Sequence, residues 1–276
     1  MRTGFTRDFC EIVEAIPTGE RILLVGDRVI DFWVDVLGIR GAEYGLAESS
    51  PGCRDLQFLG PAGVALAWGQ ATGSSIRLAI ADDGNCHVTA LLMIHVGGRH
   101  WSAEFLNGLT GFSAEQLKEV RQSAMPIVRL NGGETAVLAL HPVQALRQQL
   151  ASTYGYSQDR RNEPDGEQYA VRARLAIEAC RRITLRYLKQ GDIAEAVRIV
   201  EAVHRISLTA PALRAHLSDG VRLEDAIVES DVFPKEFRRK RLRHLRGVHK
   251  RKMCVYRKKY SHLEGATASA TSPSVA

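Results

Sequence analysis

The sequence predicts an α+β fold: a strand-rich front half with flanking helices, followed by a helical C-terminal region. Three observations carry this. Arg21 to Gly60 has the pattern strand, glycine turn, helix, loop and strand. Alternating apolar residues and glycine turns continue to Leu140. From His141-Pro142 onward the apolar period becomes helical.

Thr6 to Ile16 predicts a short helix with Phe9, Ile12, Val13 and Ile16 on one side, closed by Pro17-Thr18-Gly19. Ile22 to Val25 is an apolar run of strand length. Gly26 breaks it, and Ile30, Trp33, Val34 and Leu37 follow at helical spacing. Gly26 is therefore expected at a helix N-terminus, where free backbone N–H groups can meet a phosphate. Gly41 to Gly52 predicts a loop. Arg54 to Leu59 predicts the next strand and completes a βαβ-type opening.

Beyond Gly60-Pro61, Val64, Leu66 and Trp68 alternate, and so do Ile76, Leu78 and Ile80; both runs read as strands. Asp82-Asp83-Gly84-Asn85 predicts a hairpin turn, His87 to Val96 its returning strand, and Gly97-Gly98 the end of that strand. Ser113-Ala114-Glu115-Gln116 ahead of Leu117 and Val120 is a helix start. Met125 to Leu130, Asn131-Gly132-Gly133 and Thr135 to Leu140 form a second hairpin.

Helices are expected over Val143 to Leu150, Glu167 to Lys189, Ile193 to Ile206 and Ala210 to Leu217, with a short one at Leu223 to Val228. Gln158 to Gly166 reads as a loop, and Gly191-Asp192 as the junction between two helices. Pro234 precedes a basic helix running from Lys235 to about His262. The small polar tail is expected to be disordered. The expected division is 1–140, 141–234, 235–262 and 263–276.

The chain has 276 residues and a net charge of +6. Arg238 to Lys259 holds 12 Lys/Arg and no acid, so the remainder carries −6. No apolar run is long enough for a membrane span, and the N-terminus, with Asp8, Glu11 and Glu14, is not a secretory signal. Cys10, Cys53, Cys86, Cys180 and Cys254 fit neither a disulfide framework nor a zinc pattern, which suits a reducing cytoplasm.

Gly26-Asp27, Asp31-Phe32-Trp33 and Asp55-Leu56-Gln57 resemble the opening of nucleotidyltransferase-like proteins of the AbiEii toxin type. That family has Gly-Gly before a helix with an NFW-like segment, then Asp-x-Asp. The resemblance extends through Ala124-Met125-Pro126-Ile127-Val128, His141-Pro142, the segment Leu213 to Ile227, and Phe233-Pro234-Lys235-Glu236-Phe237-Arg238. It implies a mixed sheet with flanking helices. It also implies a site where two metal ions, held by Asp-x-Asp and an acid on a later strand, transfer a nucleotide.

Two family positions differ here: Asp27 replaces the second glycine, and Gln57 the second carboxylate. An amide is a poor substitute for a magnesium ligand, and the strand Cys86 to Ile94 carries no acid. Asp55 is the remaining candidate for catalysis and metal binding; its other role is a polar strand residue bonded to nearby backbone. Gly26, Asp27 and Arg54 are the candidate nucleotide contacts, although Asp27 also suits a helix cap. No cofactor is expected, with Mg2+ only if the protein is active.

The reading is a catalytically degenerate transferase. The alternatives are an active transferase modifying RNA or protein, with Asp27 or Glu43 as substitute acids, and a protein-interaction module. Asp82-Asp83 is a turn, not a metal pair. His87 and His95 on an apolar strand are structural; His100, His141 and His204 are isolated. Arg238, Arg239, Lys240, Arg241, Arg243, Arg246, Lys250, Arg251 and Lys252 are the candidate nucleic-acid contacts. Residues 239, 243, 246 and 250 should share one face, opposite a stripe of Leu242, Leu245, Val248, Met253 and Tyr256. RNA or DNA would be met mainly through phosphates. An acidic protein, an anionic membrane surface or the chain's own acidic body are the other partners open to this helix.

Overall fold

The computed structural model describes residues 9, 11–16, 21–45, 55–79, 87–96, 99–128, 134–155 and 166–260. Arg54, the Asp82 to Asn85 turn, both glycine pairs and the tail lie outside them. The chain divides into two compact units, Met1–Gln148 and Gln149–Ala276.

The first unit is built on a seven-stranded mixed sheet in the order β3-β4-β5-β2-β1-β7-β6. The strands are β1 Ile22–Val25, β2 Asp55–Leu59, β3 Ser75–Leu78, β4 Val88–Val96, β5 Arg99–Leu106, β6 Met125–Val128 and β7 Glu134–Ala139. β1 is buried along its whole length, as an unbroken apolar run requires. It pairs in parallel with β7 and antiparallel with β2. The opening is thus strand, helix and strand as expected, but not a parallel crossover. Gln57 sits beside Val25 and Leu59 beside Leu23, so the chain has returned to the C-terminal end of β1 before β2 begins.

Helix α1 (Asp27–Val36) buries Val29, Ile30, Trp33 and Val34, and the Trp33 indole N–H donates to the Leu140 carbonyl at 2.8 Å. Phe9, Ile12, Val13 and Ile16 are buried, and the Phe9 ring lies 6.2 Å from that of Phe32.

Ala62–Thr72 is a helix, α2, and not the expected strand. The alternation of Val64, Leu66 and Trp68 was a coincidence of a short window. Val64, Ala65, Trp68 and Gly69 are the buried set, at helical spacing, and Leu66 is exposed. The Ala-rich composition favours helix over strand. Gly69 lets the helix sit close to the sheet, since a Cβ there would lie 2.3 Å from Ile76 Cδ1.

Helix α3 (Ala114–Ser123) starts with a capping box in which Ser113 and Gln116 each accept from the other's backbone N–H. β6 and β7 form the expected hairpin. α4 (Pro142–Tyr154) contains the boundary between the units.

The second unit is helical: α5 Gly166–Gln190, α6 Ile193–Ser207, α7 Ala210–Asp219, a 3-10 turn at Leu223–Ala226, a π-helical stretch at Phe237–Leu242 and α8 Arg243–Lys259. Asp192 caps α6 by accepting from the Glu195 N–H. Leu188, Ala196, Val200, Val228, Phe233, Phe237, Leu242 and Leu245 make one of its core clusters, and Leu213, Leu217 and Met253 another. Cys180 is buried in α5, where burial pushes its thiol up, and Cys254 is exposed on α8; both are free thiols. Among the described residues no helix is long and apolar enough to cross a membrane.

Candidate functional site

The first candidate site lies at the C-terminal end of β1. Gly26 is the N-cap of α1 with φ 70° and ψ −157°, a conformation glycine adopts and L residues avoid. A Cβ there would stand 2.2 Å from Gln57 Oε1. The Gly26 N–H donates to Gln148 Oε1 at 3.1 Å, so this amide is engaged by the protein itself. Asp27 places its acid in the first turn of α1, where it complements the positive end of the helix. Arg28 pairs with Asp31 at 3.1 Å and lies 5.9 Å over the Trp101 ring.

β2 runs parallel to β5, with Asp55 opposite Ser102 and Gln57 opposite Glu104. The Gln57 amide donates to Glu104 Oε2 at 2.8 Å. Positions 55, 57, 102 and 104 share one face of the sheet. Cys86 to Ile94 carries no acid, as read, but it is not the strand beside β2. The strand beside β2 is β5, not β4, and it supplies Glu104. The signal was present in the sequence, because Trp101, Ala103 and Phe105 alternate with Ser102 and Glu104 just after Gly97-Gly98. Among the described residues no group of three or more His, Cys, Asp or Glu converges to hold a metal.

The second candidate site is α8. Leu245, His249 and Met253 form its buried stripe, so a histidine takes a place expected of an aliphatic residue. Some of the expected cations are engaged within the unit. Arg241 pairs with Glu201 at 2.7 Å and Lys240 with Glu236 at 2.5 Å; Arg238 pairs with Asp231 and Arg246 with Glu229. Arg239, Arg243, Lys250, Arg251 and Lys252 are exposed and make no ion pair among the described residues. Residues 239, 243, 246 and 250 are all exposed, and a π-helical stretch from Phe237 to Leu242 leads into α8.

Behind α8 lies a group that sequence reasoning missed. His249 Nδ1 pairs with Glu224 Oε1, and the His249 ring lies 6.3 Å from that of His216. Burial alone would raise the Glu224 carboxyl. The His249 hydrogen bond, a backbone hydrogen bond and the charges of His249 and His216 outweigh it and hold the carboxyl at about 2. Burial pushes His204 and His216 below the ordinary imidazole range; Glu224 opposes this at His216, and neighbouring positive charges add to it at both.

Other expected histidines also moved. His95 is exposed, and His100, thought isolated, stands directly opposite it on β5. His141 is buried and its Nδ1 accepts from the Val143 N–H at the start of α4.

Compared with family models, with curated proteins and with solved structures, the chain matches none.

Proposed function

We propose that the chain is a catalytically degenerate protein of the nucleotidyltransferase superfamily that acts by binding nucleic acid through α8. The observation that carries the degenerate half is the hydrogen bond from Gln57 to Glu104. Two-metal transfer needs carboxylates free to bridge cations. Here an amide holds the neighbouring carboxylate where the family has a second acid. Gly26 gives its N–H to Gln148, and the Asp27 charge opposes a phosphate at the same helix end.

The binding half rests on a division of labour in the basic segment. Arg238, Lys240, Arg241 and Arg246 are neutralised by acids of the same unit. Arg243, Lys250, Arg251 and Lys252 remain exposed for phosphates. Such contacts bring affinity and salt dependence, not sequence recognition.

Binding of duplex DNA and of RNA should be titrated with salt for the wild type and for Arg243→Ala/Lys250→Ala/Arg251→Ala. Loss of three phosphate contacts should flatten the log–log salt slope by about 2–3. Unchanged affinity and slope would remove the nucleic-acid claim and leave an acidic protein as the partner of α8.

A second reading, an active metal-dependent transferase, is favoured by one observation: Glu104 shares a sheet face with position 55. Incubation with labelled nucleoside triphosphates, Mg2+ or Mn2+ and total RNA separates the two. Label transfer that disappears in Asp55→Ala would establish the active reading.

A further inference from the structure

We propose that the β4–β5 hairpin binds a zinc-class divalent cation through His95 and His100. The two residues are direct cross-strand partners, and their Nδ1 atoms lie 3.4 Å apart with ring centroids at 4.6 Å. Two features make this a poor imidazole–imidazole hydrogen bond. The separation exceeds the usual range of about 2.7–3.2 Å for an N–H donor, and both rings face water, which offers better partners.

The separation does suit a shared metal. Two nitrogens each ~2.0–2.1 Å from a tetrahedral zinc ion stand about 3.3–3.4 Å apart. Adjacent ligands of an octahedral magnesium, at ~2.0–2.1 Å, would stand about 2.9 Å apart. Imidazole nitrogen also selects zinc, nickel or copper over magnesium or calcium.

The strands hold the pair in place. Ile94 and Trp101, the next cross-strand partners, are buried on the opposite face and fix the register. The two imidazoles stand on the exposed face, open to an ion from solvent. Among the described residues no third His, Cys, Asp or Glu joins them. Water completes the coordination sphere, and the site binds more weakly than a three- or four-ligand centre. It does not depend on the transferase reading.

Titration calorimetry of the full chain with zinc chloride and, separately, magnesium chloride tests it. Zinc should bind at one ion per chain and magnesium should give no heat. His95→Ala and His100→Ala should each weaken zinc binding by about tenfold or more, and the double variant should bind no more tightly than either. His244→Ala, which removes an exposed histidine of α8, should leave it unchanged. Far-UV circular dichroism and the His95→Gln variant separate lost ligation from lost folding. Absence of zinc heat in the wild type, or wild-type zinc affinity in the double variant, would overturn the proposal.

Discussion

Replacing His249 by alanine tests how α8 is held. In the wild type Glu224 sits at about 2 against an ordinary value of 4.5. At 1.36 kcal/mol per pH unit, that depression, the net of all its causes, corresponds to at most about 3 kcal/mol of stability while the facing imidazoles are charged. Because the folded-state value lies below the unfolded one, the contribution is complete above 4.5 and declines as pH falls toward 2. Linkage leaves about 1 kcal/mol of it at pH 3. Urea unfolding of wild type and His249→Ala should therefore differ by up to about 2–3 kcal/mol at pH 5.5, where Glu224 is ionised and imidazoles carry charge, and by much less at pH 3, beyond a pH-independent packing loss. Adding Glu224→Gln to His249→Ala should recover part of the loss, since it removes the carboxylate left behind. An equal deficit at both pH values, with no recovery in the double variant, would refute the charge-pair account and leave packing as the cause.

Gly26→Ala should destabilise the first unit by about 1–3 kcal/mol in thermal or urea unfolding, because alanine would adopt a left-handed φ and meet the Gln57 amide. Gln57→Asp should restore an acid beside Glu104 and create manganese binding detectable by electron paramagnetic resonance, whereas the wild type should show none. His204 and His216 titrate below the ordinary imidazole value in the fold. Stability of the second unit should thus fall as pH drops below about 6.5, the unfolded value, before Glu224 begins to protonate. Paired His204→Gln and His216→Gln variants should flatten that limb of the unfolding pH profile.

Much of the fold was legible because it rests on local chemistry. The β1 run, the Ser113 capping box, the Asp192 cap and the switch to a helical period at His141-Pro142 all declare themselves within a few residues. Helix α2 was misread because three apolar residues two apart fit a strand, while the side chains deciding the matter, Ala65 and Gly69, are too small to register as an apolar stripe. The site was less legible for a different reason. Which strand lies beside β2 is a property of sheet order, so Glu104 could not be placed opposite Gln57 from local pattern. His249 and Glu224, which lie on separate elements, met the same limit, whereas the pairing of His95 with His100 across Gly97-Gly98 is a local relation that the reading of Gly97-Gly98 as a strand end passed over.

The π-helical stretch at Phe237–Leu242 has a consequence for how this chain tolerates insertions and deletions. Each α-helical residue advances the azimuth by about 100°. Shortening the stretch by one residue would regularise the turn, but Leu245, His249 and Met253 would then swing away from their packing partners. Compensation would require a matching shift of the apolar stripe along the whole of α8. Length changes are therefore far costlier at residues 237–242 than beyond Lys259, and this short segment sets the rotational phase between the charged surface and the helices beneath it.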